Sequence, residues 1–166
     1  MGVIVVGVDG SQGSTAALRW ALEEAQLRGS SLRVVHAYQS PPLPATEAGM
    51  GVAGGIGVPA VYTDDSERLR HAIETQARHL IEHSLRRVGA DSIEGVDIEQ
   101  SAVQGPAAQT LIEAGRGAEL LVVGSRGRGG FIGLVLGSVS QQCAQHPPCP
   151  VVILPPPEQA ESGAES

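Results

Sequence analysis

Short apolar runs separated by longer amphipathic stretches organise this chain. Val3–Val8 is continuously apolar rather than alternating, the pattern of a parallel strand buried on both faces. Leu32–Ala37 repeats it, Val96–Val103 alternates in part, and Leu120–Val123 and Pro150–Leu154 are again apolar. Between the first two runs, Ala17, Leu18, Ala21, Leu22 and Ala25 recur at helical spacing. Ser11 and Ser14 offer N-caps for that helix, and Gly29, after Arg28, suits a C′ residue. A long helix is predicted from a cap at Asp64 or Asp65 to about Val88, with Leu69, Ile73, Leu80, Ser84 and Val88 inward and Gly89 as its stop. Gly105-Pro106 turns the chain into a short helix, Gln109–Arg116, and Val139–Gln145 is a further amphipathic stretch. Pro155-Pro156-Pro157 forbids continuation of the last strand. Strands alternating with helices predict one α/β domain: a doubly wound parallel sheet joined by right-handed crossovers, with helices on both faces.

Two segments break the pattern. Residues 39–63 hold four prolines and five glycines with few charges, which predicts a long mobile loop. Within it, Gly49-Met50-Gly51-Val52-Ala53-Gly54 satisfies Gly-x-Gly-x-x-Gly. That signature needs a strand before and a helix after, and prolines precede this one, so it is not read as a dinucleotide site. Residues 1–155 are assigned to the domain and 156–166 to a tail, with 158–166 acidic and disordered.

Composition narrows the function classes. Hydrophobic residues make up 42% of the chain, and no apolar run approaches membrane-spanning length. No basic region precedes Val3–Val8, so a signal peptide is not expected and the protein is read as cytoplasmic, with Cys143 and Cys149 reduced. A net charge of −7 without a basic cluster argues against a nucleic-acid surface. All eleven basic residues are arginine, which removes Schiff-base chemistry and a Walker lysine. Trp20, Tyr38, Tyr62 and Phe131 are too few and scattered for a base-stacking platform.

The chemistry concentrates in Gly124-Ser125-Arg126-Gly127, then nine residues, then Gly137-Ser138. An apolar strand leads in and a helix follows. Glycines let the backbone approach an anion, and free amides at a helix start favour its charge. Ser138 occupies the expected N-cap, so its hydroxyl serves either the helix or a phosphate. Taken alone, the loop is equally well a glycine-rich surface turn. Gly124, Gly127, Gly137 and Ser138 match, without a gap, the pattern of nucleotide-binding members of the universal stress protein family. Ile4-Val5-Val6-Gly7-Val8-Asp9-Gly10-Ser11 is similar to that family's opening strand and aspartate. The likeness runs from about Val3 to Leu154.

The resemblance implies a five-stranded sheet of order 3-2-1-4-5. The cleft then lies outside the carboxyl ends of strands 1 and 4, where Asp9 and Gly124 meet. It implies ATP with Mg²⁺, phosphates on the Gly124–Ser138 loop, and Asp9 at the adenosine end; the alternative role for Asp9 is a cap of the first helix. Gly7 and Ala37 match positions near the base, Ala37 through its backbone. Val123 and Val139 flank the glycines and either touch the nucleotide or belong to the core. Arg126 is a candidate phosphate contact, while Arg128 leans towards solvation. Gly129–Leu136 is expected to form a flexible lid. Relatives dimerise through the last strand, and Pro150–Leu154 leaves an open edge that suits this.

Other constellations carry less. His79-Leu80-Ile81-Glu82-His83 is an inverted zincin pattern without an obvious third ligand, and a helix flank explains it better. His36 is read as a satisfied core histidine, His146 as capping or following the last helix, and His71 has no identified partner. No Gly-x-Ser-x-Gly elbow and no converging carboxylate pair stands out. The reading is an ATP-binding, nucleotide-responsive stress regulator with an unknown protein effector. The rivals are a slow ATPase using metal-held water and a scaffold with an empty loop.

Overall fold

Continuous apolar runs are driven to positions where both faces are covered, and β1 (Val3–Gly7) takes the centre of the sheet. In a computed structural model of the chain, which describes residues 1–40, 61–128 and 135–157 (the backbone alone for 61–64), it is followed by α1 (Gln12–Arg28) and β2 (Ser31–Tyr38). Then come α2 (Val61–Arg87), a 3₁₀ turn at Ala90–Ser92, β3 (Ile98–Gln104) and α3 (Ala107–Ala114). β4 (Leu120–Gly124), α4 (Ser138–Gln145) and β5 (Val151–Leu154) complete the domain. The five strands are all parallel, in the order β3-β2-β1-β4-β5. The expected fold class and strand order are both observed.

Alternate residues of β1 feed opposite faces. Ile4, Val6 and Val8 pack with Leu18 and Leu22 of α1 and with Ile81 and Leu85 of α2. Val5 packs on the other side with Val35, Leu111 of α3, Leu121, Val123 and Cys143 of α4. Full burial of each such aliphatic side chain contributes about 1.5–3 kcal/mol against the entropy of ordering the chain. Cys143 and Cys149 are both free thiols, and burial pushes each of them up from its ordinary value.

The caps of α1 follow the sequence. The Ser11 hydroxyl accepts the Ser14 amide at 3.1 Å. At the other end Gly29, at φ 66°, takes the left-handed turn that releases the chain into β2. Other boundaries differ. α2 begins at Val61, so residues 61–63 are helical rather than loop, and neither Asp64 nor Asp65 starts the helix. Its buried stripe is Ala77, Ile81, Ser84 and Leu85, whereas Leu69 is 51% exposed. Among the described side chains of α2 none before Ala77 is buried, so the turn carrying Leu69 adds little to the core. β3 starts two residues later than expected, α3 runs Ala107–Ala114 rather than Gln109–Arg116, and Pro150 precedes β5. The rest of the expected loop (41–60), most of the expected lid (129–134) and the acidic tail (158–166) lie outside the described residues.

Leu121→Ala removes a fully buried side chain and is expected to lower the unfolding free energy by about 2–5 kcal/mol. Leu69→Ala should change it by less than about 0.5 kcal/mol. Urea melts of the two variants check this, and equal losses would contradict the assignment of the core.

Candidate functional site

The winding of the sheet reverses between β1 and β4, and a crevice opens beyond their carboxyl ends. Leaving β1, the Val8 amide still donates to the Val35 carbonyl at 2.9 Å. From there side chains replace the ladder. The Asp9 amide donates to Ser14 Oγ at 3.3 Å, and the Ser11 amide donates to Asp9 Oδ1 at 2.9 Å. Asp9 therefore closes the turn before α1, while Ser11 is the cap. The second oxygen, Oδ2, accepts the Arg128 amide at 3.2 Å, which ties the first loop to the glycine loop across 119 residues of chain. Burial pushes the Asp9 carboxyl up. Hydrogen bonds from Ser11, Ser14 and the Arg128 amide together outweigh that and hold it below its ordinary value.

The glycines of the second loop divide the work. A Cβ on Gly124 would lie 2.8 Å from the carbonyl carbon of Gly13, and one on Gly13 would lie 2.7 Å from the Arg126 carbonyl oxygen. These two glycines let the backbones of α1 and β4 touch. A Cβ on Gly127 would sit 2.6 Å from Asp9 Oδ2, so this glycine keeps the space beside the carboxylate open. Gly137, not Ser138, is the N-cap of α4, and Ser138 is its first helical residue. The expected capping role of Ser138 is thus taken by the residue before it, whose amide is held on the Ser125 carbonyl at 2.6 Å. Ser140 closes the loop from inside: its buried Oγ lies 2.7 Å from the Ser125 carbonyl oxygen and 3.0 Å from that of Gly137.

These segments enclose a cavity of about 450 Å³. Gly7, Asp9, Ala37, Val123, Gly124, Arg126, Gly127, Gly137, Ser138 and Val139 all line it, so the ten residues expected at the nucleotide line one cavity. Ser11, Ser14, His36, Ala107, Leu111 and Ser140 line it as well. The sequence marked Ser11 and Ser14 only as caps and His36 as core; Ala107, Leu111 and Ser140 gave no local signal. Arg126 Nε and Ser125 Oγ are buried without a hydrogen-bond partner among the described residues. Arg128 is exposed, in keeping with solvation, and its guanidinium lies close to Gly10.

His79 and His83 are exposed on α2, with His79 Nδ1 3.4 Å from Glu82. Among the described residues no group of three or more His, Cys, Asp or Glu gathers as a metal cage. His146 ends α4, and His71 is exposed. No helix of the described residues is long and apolar enough to cross a membrane.

Known proteins place this arrangement. The sequence profile described as "Universal stress protein family" matches residues 1–155. The chain belongs to the universal stress protein family. It is 34% identical over 164 residues to the universal stress protein Rv2623 of Mycobacterium tuberculosis, covering 95% of this chain and 51% of that one. A Mycolicibacterium smegmatis universal stress protein is 33% identical over 157 residues, covering 95% and 49%. This chain spans about half the length of these curated universal stress proteins. Among solved structures, the Lactobacillus plantarum protein UspA superposes with a TM-score of 0.67 at 20% identity, covering 92% of this chain and 97% of that one, and supports the fold. A universal stress protein described as in complex with cAMP matches at 25% identity and a TM-score of 0.59, covering 92% and 95%.

Two outcomes test the site. Gly124→Ala should destabilise the protein by about 1–3 kcal/mol, since the new methyl meets backbone that cannot rotate away; thermal melts measure it. The ionised Asp9 carboxylate contributes stability that is complete above its ordinary value of 3.8 and is lost as pH falls through its lower folded value. The stability difference between wild type and Asp9→Asn should therefore be constant near neutrality and shrink below that value. A difference that stays flat through the acid limb of urea titrations would contradict it.

Proposed function

We propose that the cleft binds an adenine nucleotide, with ATP as the leading ligand, and that the protein is a nucleotide-responsive regulator. The observation that carries this is the convergence of Asp9 and the Gly124-x₂-Gly127-x₉-Gly137-Ser138 loop on one cavity. Phosphates fit beside Gly127 and at the start of α4, where the Ser138 end offers amides and the helix dipole favours negative charge. Arg126 Nε, buried without a partner among the described residues, suits a phosphate oxygen. The Asp9 carboxylate, next to Gly127, and the Ala37 backbone suit hydrogen-bond donors of the sugar and base. The relative described as in complex with cAMP supports the adenine nucleotide class.

Mg²⁺ would be held chiefly by the phosphates, with the exposed Ser138 hydroxyl on the loop as a candidate protein ligand, and it would neutralise phosphate charge. Asp9 suits it less, since both carboxylate oxygens already accept backbone amides. Among the described residues of the cleft none is arranged to orient a water for attack on the terminal phosphate. Turnover is expected well below the typical enzyme median of about 10 per second. Binding, read by a protein effector, is then the output. β5 stands at the sheet edge with one side unpaired among the described residues, and antiparallel pairing of Val151–Leu154 with a second copy would satisfy it.

Gly127→Glu puts a carboxylate against Asp9 and into the phosphate approach, and is expected to abolish ATP binding while leaving the circular dichroism unchanged. Calorimetry decides: undiminished ATP affinity in the folded variant would overturn the proposal. Light scattering at micromolar concentration should give a dimer, and a monomer there would exclude pairing through β5. Multiple-turnover assays with Mg²⁺ should show slow hydrolysis at most. A rate near the median, lost in a Ser138→Ala variant that still binds ATP, would make the protein an enzyme.

A further inference from the structure

β1 and β2 pair in the register Val3↔Ser31 to Gly7↔Val35. In this ladder the odd-numbered residues of β2 turn their amides and carbonyls to β1. The Ser31 amide meets the Gly2 carbonyl, and the Val35 carbonyl accepts the Val8 amide. One more rung would bring the Ala37 amide to the Val8 carbonyl. That rung is not formed: the registered pairs stop at Gly7↔Val35, and His36 Nδ1 occupies the Val8 carbonyl oxygen at 2.8 Å instead.

We propose that His36 is a positioning residue of the cleft: its ring replaces the next rung of the ladder and fixes the peptide that carries Asp9. A carbonyl oxygen only accepts, so Nδ1 carries the hydrogen and Nε2 is bare in the neutral ring. The Val8–Asp9 peptide is then held at both ends, its oxygen by His36 and its nitrogen by Ser14 Oγ. With that plane fixed, the Asp9 carboxylate reaches the Ser11 and Arg128 amides together. With that rung unmade, the Ala37 amide does not close on Val8. Both His36 and Ala37 line the cavity, and His36 is half-buried rather than core. The consequence for affinity rests on the nucleotide-binding reading; the consequence for the ring does not.

The test uses the full chain and two near-isosteric variants. In His36→Asn the side-chain amide can donate to the Val8 carbonyl from nearly the same position. In His36→Asp an acceptor faces that carbonyl. Long-range ¹H–¹⁵N NMR of the wild type should show the Nδ1–H tautomer at His36. Finding Nε2–H there would overturn the proposal whatever the protein binds. Calorimetry with ATP should give an affinity within about threefold of wild type for His36→Asn and a loss of about tenfold or more for His36→Asp, the effect of leaving a buried carbonyl unsatisfied. The Asp9 amide resonance should move in His36→Asp and stay in His36→Asn. Equal losses in both folded variants, or none in His36→Asp, would also overturn it. If the wild type binds no nucleotide, the proposed function fails, while the tautomer and the Asp9 resonance still decide the role of His36.

Discussion

β1 is hydrogen-bonded along both edges, to β2 and β4, and is covered on both faces by apolar side chains. The rest of the domain depends on that double confinement. A strand with no free edge and no free face cannot be extended or shifted without disturbing every layer. Its carboxyl end is therefore a fixed point. Because the sheet winds one way through β2 and β3 and the other way through β4 and β5, the connections leave that point in opposite directions and open a crevice. Asp9 sits at the lip of that crevice. Its two oxygens, one on the Ser11 amide and one on the Arg128 amide, join the two loops that form the walls.

Close backbone contact is the second requirement. α1 and β4 approach through Gly13 and Gly124, where a single methyl on either side would strike backbone. This contact brings the start of α1, with Ser11 and Ser14, beside the glycine loop. Ser140 then ties that loop shut from beneath by reaching the Ser125 and Gly137 carbonyls. The walls of the cavity are thus held by the Asp9 carboxylate, by the Ser140 hydroxyl and by glycine contacts. Arg126 lines the same cavity, and its Nε has no partner among the described residues. Walls held in this way leave the site little ordering to be done when a ligand binds. The free thiols and the exposed histidines of α2 take no part in it.

The helices and strands were largely legible in the chain. Apolar runs without alternation specified parallel strands, since only burial on both faces accommodates them. The stripe Ala17–Ala25, the cap at Ser11 and Gly29 as the stop are local signals, and α1 follows all three. The glycine spacing and Asp9 marked the cleft from opposite ends of the sequence, and the strand order carried by the family likeness brought them together.

Tertiary contact decided the rest. Gly124 looks like part of an anion loop, yet its missing side chain is also what admits Gly13, a fact of two backbones 111 residues apart in the chain. Ser138 carries the residue type of a cap, but the hydrogen bond from the Gly137 amide to the Ser125 carbonyl sets the helix start one residue earlier than its type suggests. Helical periodicity marked an inward face for α2 without saying where burial begins, so Leu69 was placed inside while the core reaches only to Ala77. His36 resembled a core histidine because nothing local announces that the ladder ends one residue earlier. Propensity and periodicity act over a few residues and determine which elements form. Which backbone groups are left over at their ends depends on register and on neighbours distant in sequence, and those leftover groups make the site.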